Sequence, residues 1–119
     1  MFKDIFGDSP QTKVLDFLAD YPDFDYSISE IAKNSNVSRP TVYKVIELLV
    51  KKDLVLKTRE QGNSPLFKLN LENKLVQLIL KFDFDVSAKL AEIEKENSLK
   101  DYSKTFKKSV RATAKPRPA

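Results

Sequence analysis

The residues best equipped for chemistry are Ser38-Arg39-Pro40-Thr41-Val42-Tyr43-Lys44. A guanidinium, an ammonium, a phenol and two aliphatic hydroxyls fall in this short run. Together they form a set of hydrogen-bond donors suited to phosphates and base edges, not a nucleophile with its base. The chain has no His and no Cys. That removes the commonest general base, the commonest zinc ligand, the usual pH switch and any disulfide. No paired-carboxylate or Gly-rich phosphate motif is present either. An enzyme is the least expected class, and no cofactor is expected.

The elements that must position this run are two helices and a turn. Ser27 and Glu30 have the spacing of a capping box, ahead of Ile28, Ile31 and Ala32. This predicts a helix of about two turns ending near Asn34-Ser35-Asn36, where Asn tolerates left-handed backbone. Val37 plugs the turn into a core, and Ser38 is expected to cap the next helix. There Val42, Val45, Ile46 and Leu49 follow at i, i+3, i+4 and i+7, one buried stripe. Arg39, Pro40, Tyr43, Lys44 and Glu47 lie around the other side. Glu47 and Lys51 are in the favourable i, i+4 order, and Lys51-Lys52 suit the helix C-terminus. A helix with a polar, partly basic first turn and an aliphatic inner stripe suits entry into a DNA groove.

The 119 residues, 41% of them hydrophobic, fit one small domain with appendages. Residues 1–98 hold 14 Lys/Arg against 16 Asp/Glu, and residues 99–119 hold 7 against a single Asp. The net charge of +4 therefore resides in the C-terminal stretch. A body near neutrality can still bind DNA when its cations share one face. Met1 to Pro10 predicts no leader, and no run approaches the roughly 18 apolar residues of a membrane span. A cytoplasmic protein is expected.

Before the helical pair, Ser9-Pro10 predicts a capped helix start. Val14, Phe17, Leu18 and Tyr21 give it one buried face, and Pro22 stops it. Phe24 is expected to anchor the following loop to the core, and Phe2, Ile5 and Phe6 to form one apolar turn. After the pair, Leu54–Arg59 and Phe67–Leu71 read as two strands joined by a loop, Glu60–Pro65. From Glu72 the pattern is helical, with Leu75, Leu78, Ile79 and Phe82 on one face. Asp83-Phe84-Asp85 is expected to interrupt it, Asp85 capping a further helix through Val86, Leu90 and Ile93; the alternative is one continuous helix, since positions 75, 79, 82, 86, 90 and 93 are spaced by three or four throughout. Leu99, Tyr102, Phe106 and Val110 recur at helical spacing among lysines. Residues 112–119 carry two prolines and no periodicity, so a disordered basic tail is expected.

The order helix, short helix, turn, helix, hairpin, helix resembles the winged helix-turn-helix DNA-binding domain. The likeness is nearest to small transcription regulators common in archaea, and more distant to MarR- and ArsR-type repressors. It is carried by Ile28-Ser29-Glu30-Ile31-Ala32, by Val37 through Lys44, by Ile46, Leu49, Leu54 and Val55, and by Pro65-Leu66-Phe67-Lys68-Leu69-Asn70. Where the family often has Gly before the first wing strand, Asp53 stands here. The resemblance implies an α+β fold: a three-helix core with a β-hairpin wing, plus C-terminal helices. The expected division is a DNA-binding domain over 1–82, a helical extension over 83–110 that can dimerise, and a tail over 111–119.

The same resemblance implies a mechanism. The second helix of the motif would lie in the major groove with Arg39, Thr41, Tyr43 and Lys44 on base edges. Ser38 would hold a phosphate, and Pro40 would supply apolar surface and a rigid first turn. Lys33 on the preceding helix and Lys57, Arg59 and Asn63 on the wing would meet phosphates or the minor groove. Double-stranded DNA and a second copy of the chain are the expected partners. Leu75, Ile79, Phe82, Val86, Leu90 and Ile93 exceed what so small a core can cover. Two other readings stand beside this one. One is a winged-helix interaction module of the transcription or replication machinery; the other is a weakly specific DNA-organising protein driven by the basic tail.

Overall fold

The computed structural model describes residues 1–99. The expected stripe through Tyr102, Phe106 and Val110 and the tail beyond it lie outside the described residues. The chain divides into two compact units, Met1–Asp85 and a second from Val86 onward. That division falls three residues beyond the expected boundary at 82/83.

Among the described residues eight elements follow in order: α1 (Phe2–Phe6), α2 (Pro10–Asp20), β1 (Tyr26–Ser27), α3 (Ile28–Ser35), α4 (Arg39–Lys51), β2 (Val55–Gln61), β3 (Ser64–Leu69) and α5 (Lys74–Leu99). Ser9 caps α2 as expected, its side chain accepting from the Thr12 N–H at 3.2 Å. Val14 and Leu18 point inward and are almost fully buried. Tyr21 does not join them: it sits past the helix at φ −135° and is 58% exposed. Once the backbone leaves helical geometry, the helical period no longer sets its direction. Phe24, expected as a core anchor, is 61% exposed and meets Tyr21 instead, ring to ring at 6.4 Å. Tyr26 fills that role, packed on Phe17 with ring centroids 4.5 Å apart.

The sheet has three strands, not two. Its order is β1-β3-β2, antiparallel throughout. Tyr26 pairs with Phe67 and Ser27 with Leu66, so the residues just before α3 are hydrogen-bonded into the wing sheet. The hairpin is also tighter than its composition implied. Pairing runs from Val55↔Leu69 out to Gln61↔Ser64, leaving Gly62-Asn63 as the turn, with Gly62 at φ +63°. A register shift between Lys57 and Arg59 places a bulge at Thr58.

One apolar core joins the helices and sheet: Val14 and Leu18 of α2, Ile28 and Ile31 of α3, Val42 and Ile46 of α4, Val55 and Leu69, and Val76 of α5. The α4 stripe is buried as its spacing predicts. On α5 the core residue is Val76, whereas Leu75 and Leu78 are 53% and 63% exposed. The expected break at Asp83-Phe84-Asp85 does not occur. Asp85 caps nothing; it takes the Lys81 ammonium at 2.8 Å, an i, i+4 pair across the acidic spot. No Pro or Gly stands between Lys74 and Leu99 to force a stop.

The N-terminal turn is tied down by a buried carboxylate that sequence spacing did not reveal. Asp16, on α2, accepts the N–H groups of Phe2 at 2.6 Å and Lys3 at 3.0 Å, and the Met1 amino group at 2.9 Å. Burial pushes its pKa up, but these donors outweigh burial and hold it below the usual aspartate value. Phe2 is thereby seated in the core and stacks on Phe82 at 6.5 Å.

Candidate nucleic-acid interface

The candidate site is built by α3, the turn after it, α4 and the wing. Ser27 and Glu30 form the capping box in full. The Ser27 side chain accepts from the Glu30 N–H at 3.2 Å, and the Glu30 carboxylate accepts from the Ser27 N–H at 2.9 Å. α3 ends at Asn36, which takes left-handed backbone at φ 59°. Val37 follows half-buried, its N–H donating to the Ala32 carbonyl at 3.1 Å. The chain therefore turns within three residues, and Ser38 starts α4 with extended backbone.

Ser38 does not cap α4 with its side chain. Its hydroxyl donates to the Thr41 hydroxyl at 2.8 Å. Of the two N–H groups that such a cap can use, at N2 and N3, the first is missing because Pro40 stands at N2. Ser38 and Thr41 are thus linked to each other in the first turn. Arg39, Pro40 and Lys44 are exposed, and Tyr43 is 53% exposed. Lys33 is exposed in the last turn of α3. Arg39, Lys33 and Lys44 form no ion pair among the described residues.

The wing differs from expectation in its charge. The Lys57 ammonium meets Glu60 at 2.8 Å. The Arg59 guanidinium donates to Asp25 through Nε at 3.0 Å and Nη2 at 3.3 Å. Thr58, at the bulge, also donates to Asp25 at 2.6 Å. With Arg59 and Thr58 beside it, the Asp25 carboxyl falls from 3.8 to about 2. Both expected wing cations are therefore paired within the protein. Sequence reading missed Asp25, whose only signal is its position far away in the chain.

Asn63 lies at the wing turn. The fold brings it together with Arg39 and Tyr43 around a cleft of about 140 Å³, with Ser29 of α3 and Ser64 and Pro65 of β3. Ser38, Thr41, Lys44, Lys33, Lys57 and Arg59 do not line this cleft. Ser29 and Ser64 were not anticipated, since neither carries a pattern until the wing is placed beside α3. Tyr43 also borders an apolar groove of about 280 Å³ with Ile28, Ile46, Val50 and Phe67. That explains how an aromatic stays half-covered on the outer side of α4.

Three helices, with α3 and α4 joined by a tight turn and a hairpin laid beside them, form one recognisable arrangement. The fold is a winged helix-turn-helix. Residues 25–71 match the family described as "Sugar-specific transcriptional regulator TrmB". The match runs from Asp25 through the whole helix-turn-helix and wing and covers less than half of the chain. Solved structures share the winged helix-turn-helix fold. Lactococcus lactis ZitR, a C30AH42A mutant in apo form, superposes with a TM-score of 0.62 at 15% identity, covering 87% of this chain and 78% of that one. The adhesin competence repressor AdcR from Streptococcus pyogenes gives 0.61 at 20% identity, covering 87% and 77%. MepR, a transcription regulator of the Staphylococcus aureus multidrug efflux pump MepA, gives 0.56 at 19% identity, covering 84% and 77%. At such identities the likeness is one of fold. No curated protein matches the sequence. Among the described residues no cluster of three His, Cys, Asp or Glu could hold a metal ion, and no helix is long and apolar enough to cross a membrane.

Proposed function

We propose that this chain is a cytoplasmic, non-enzymatic regulator of transcription that binds double-stranded DNA with sequence preference. The observation that carries the reading is the first half of α4. Arg39, Pro40, Tyr43 and Lys44 stand exposed on a helix whose inner stripe is buried. Two of them are cations without an ion pair among the described residues. A helix held this way can enter the major groove and present donors to base edges while the wing lies along the backbone. The matched family, one of transcriptional regulators, supports the same reading. Lys44 and Thr41 are the candidate base readers. Ser38, bonded to Thr41, fixes that hydroxyl's direction. Lys33 is a candidate phosphate contact.

The regulator acts as a two-fold dimer in this proposal. Ile5 and Phe6 of α1 and Leu75, Leu78 and Phe82 of α5 are all at least 42% exposed, apolar surface that a second copy would cover. A dimer would offer two recognition helices to half-sites about 34 Å apart, one turn of DNA. Selection of bound sites from random duplexes tests the reading. An enriched palindromic site is expected, and Lys44→Ala should lose about 1–3 kcal/mol on it while binding scrambled DNA nearly as before. Recovery of no preferred site would sink it. The competing role, a docking module of the transcription or replication machinery, draws on the apolar groove beside Tyr43 and on the neutralised wing. It requires that α4 bind protein and show no DNA affinity even at low salt.

A further inference from the structure

A winged-helix protein is expected to grip the DNA backbone with wing cations, yet here those cations are already paired. Lys57 is held by Glu60 and Arg59 by Asp25. What the wing turn does offer is polar and uncharged: Asn63 and Ser64, which border the cleft of about 140 Å³ shared with Ser29, Arg39 and Tyr43. No carboxylate lines that cleft. Glu30, the nearest acid along α3, is turned back onto the Ser27 N–H at 2.9 Å. Arg39 is its one cationic lining residue and forms no ion pair among the described residues. Arg39 is also the first residue of α4, and it borders the same cleft as the wing-turn residues Asn63 and Ser64. Another polar cavity, against α1, α2 and the end of α3, sets Asp8, Asp16 and Asp20 beside Lys3 and Lys13, so acids outnumber cations there.

We propose that the cleft between the wing turn and the start of α4 binds one phosphodiester of the DNA backbone. Arg39 supplies the charge, and Ser29, Asn63 and Ser64 supply neutral donors. The proposal rests on the DNA-binding reading and moves Arg39 from the base-reading set to the positioning set. A planar guanidinium matches two phosphate oxygens at once, which suits it to fixing orientation as well as adding affinity. Because α3, α4 and the wing all border the cleft, one phosphate seated there would set how deeply α4 enters the groove. Base choice is then left to Lys44 and Thr41.

The test uses the full chain and two duplexes of equal length, the selected site and a scrambled one, with affinity followed over a salt series. Arg39→Ala should weaken binding by the same factor on both duplexes and make the salt slope shallower by about 1. Asn63→Ala and Ser64→Ala should weaken both equally and leave the slope unchanged, since neither side chain is charged. Arg39→Lys should retain the slope while losing affinity. A set of selected-site duplexes, each with one neutral methylphosphonate linkage, should contain one position at which Arg39→Ala has no further effect. Loss confined to the selected site would overturn the proposal and return Arg39 to a base edge. So would an unchanged slope, or the lack of any such linkage. Arg39-dependent binding of inorganic phosphate, with DNA affinity untouched, would overturn it in favour of a free anion as the occupant. If the unaltered chain binds neither duplex, the DNA-binding reading itself fails, and this proposal with it.

Discussion

The Arg59 guanidinium is bound to the Asp25 carboxylate from a position 34 residues away, through Nε at 3.0 Å and Nη2 at 3.3 Å. This pair joins the wing to the loop that leads into β1 and α3. It also engages, within the protein, a residue that its place on the wing would recommend as a DNA contact. Hydrogen bonds from Arg59 and Thr58 hold the Asp25 carboxyl at about 2, below its ordinary 3.8. An acid whose folded pKa is depressed adds stability that is fully present above the unfolded value and is lost as pH falls through the folded one. The wing attachment should therefore be intact at neutral pH and loosen between about pH 4 and pH 2. A carbon-detected titration of Asp25 should give a midpoint near 2. In Arg59→Ala that midpoint should rise toward 3.8, and a midpoint unchanged by the substitution would show that the pair does not form in solution.

Asp53 adopts φ +62° between α4 and β2, a left-handed conformation that disfavours a Cβ by about 1–2 kcal/mol. Its carbonyl is fixed there by the Asn70 and Asn73 amides at 3.0 and 2.9 Å. A Gly at this point would meet the same geometry without strain. Asp53→Gly should therefore match or exceed the parent in urea stability, with Asp53→Ala below it by about 1 kcal/mol. Equal stability of the two variants would mean that the turn relaxes out of the left-handed region.

Ser27 serves two elements, as the cap of α3 and as a pairing residue of β1 with Leu66. Ser27→Ala leaves the strand pairing but removes the acceptor for the Glu30 N–H. A loss of about 1 kcal/mol is expected in urea unfolding, with the slope unchanged. Ser27→Thr should recover most of it. Failure of Thr to do so would argue that packing, not capping, sets the requirement at this position.

Leu78 is 63% exposed on α5, on the side away from Val76. Leu78→Lys should fold with the parent's thermal midpoint or close to it, because nothing in the core depends on this side chain. In sedimentation equilibrium at micromolar concentration the parent should have the mass of two chains and the variant that of one. A parent already monomeric would remove the dimer from the proposal while leaving DNA binding by single chains to be measured directly.

The local features were legible from the residues alone. Ser9-Pro10, the Ser27/Glu30 box, the Asn36 turn, and the stripe Val42, Val45, Ile46 and Leu49 each depend on groups within about four positions. There the helical repeat and the capping hydrogen bonds are set by spacing. Tertiary structure decided what depends on distant returns of the chain. It added Tyr26-Ser27 to β3, too short a strand to leave a pattern. It exposed Tyr21 and Phe24 and chose Val76 over Leu75 for the core. It paired Arg59 with Asp25 and set Asn63 beside Arg39. A bulge at Thr58 and a two-residue turn fix where the wing's side chains end up, and neither angle is written in composition. The sequence by itself thus determined a helix with a polar, partly basic first turn and a buried stripe, while only the folded chain decided which of the nearby cations are paired within the protein.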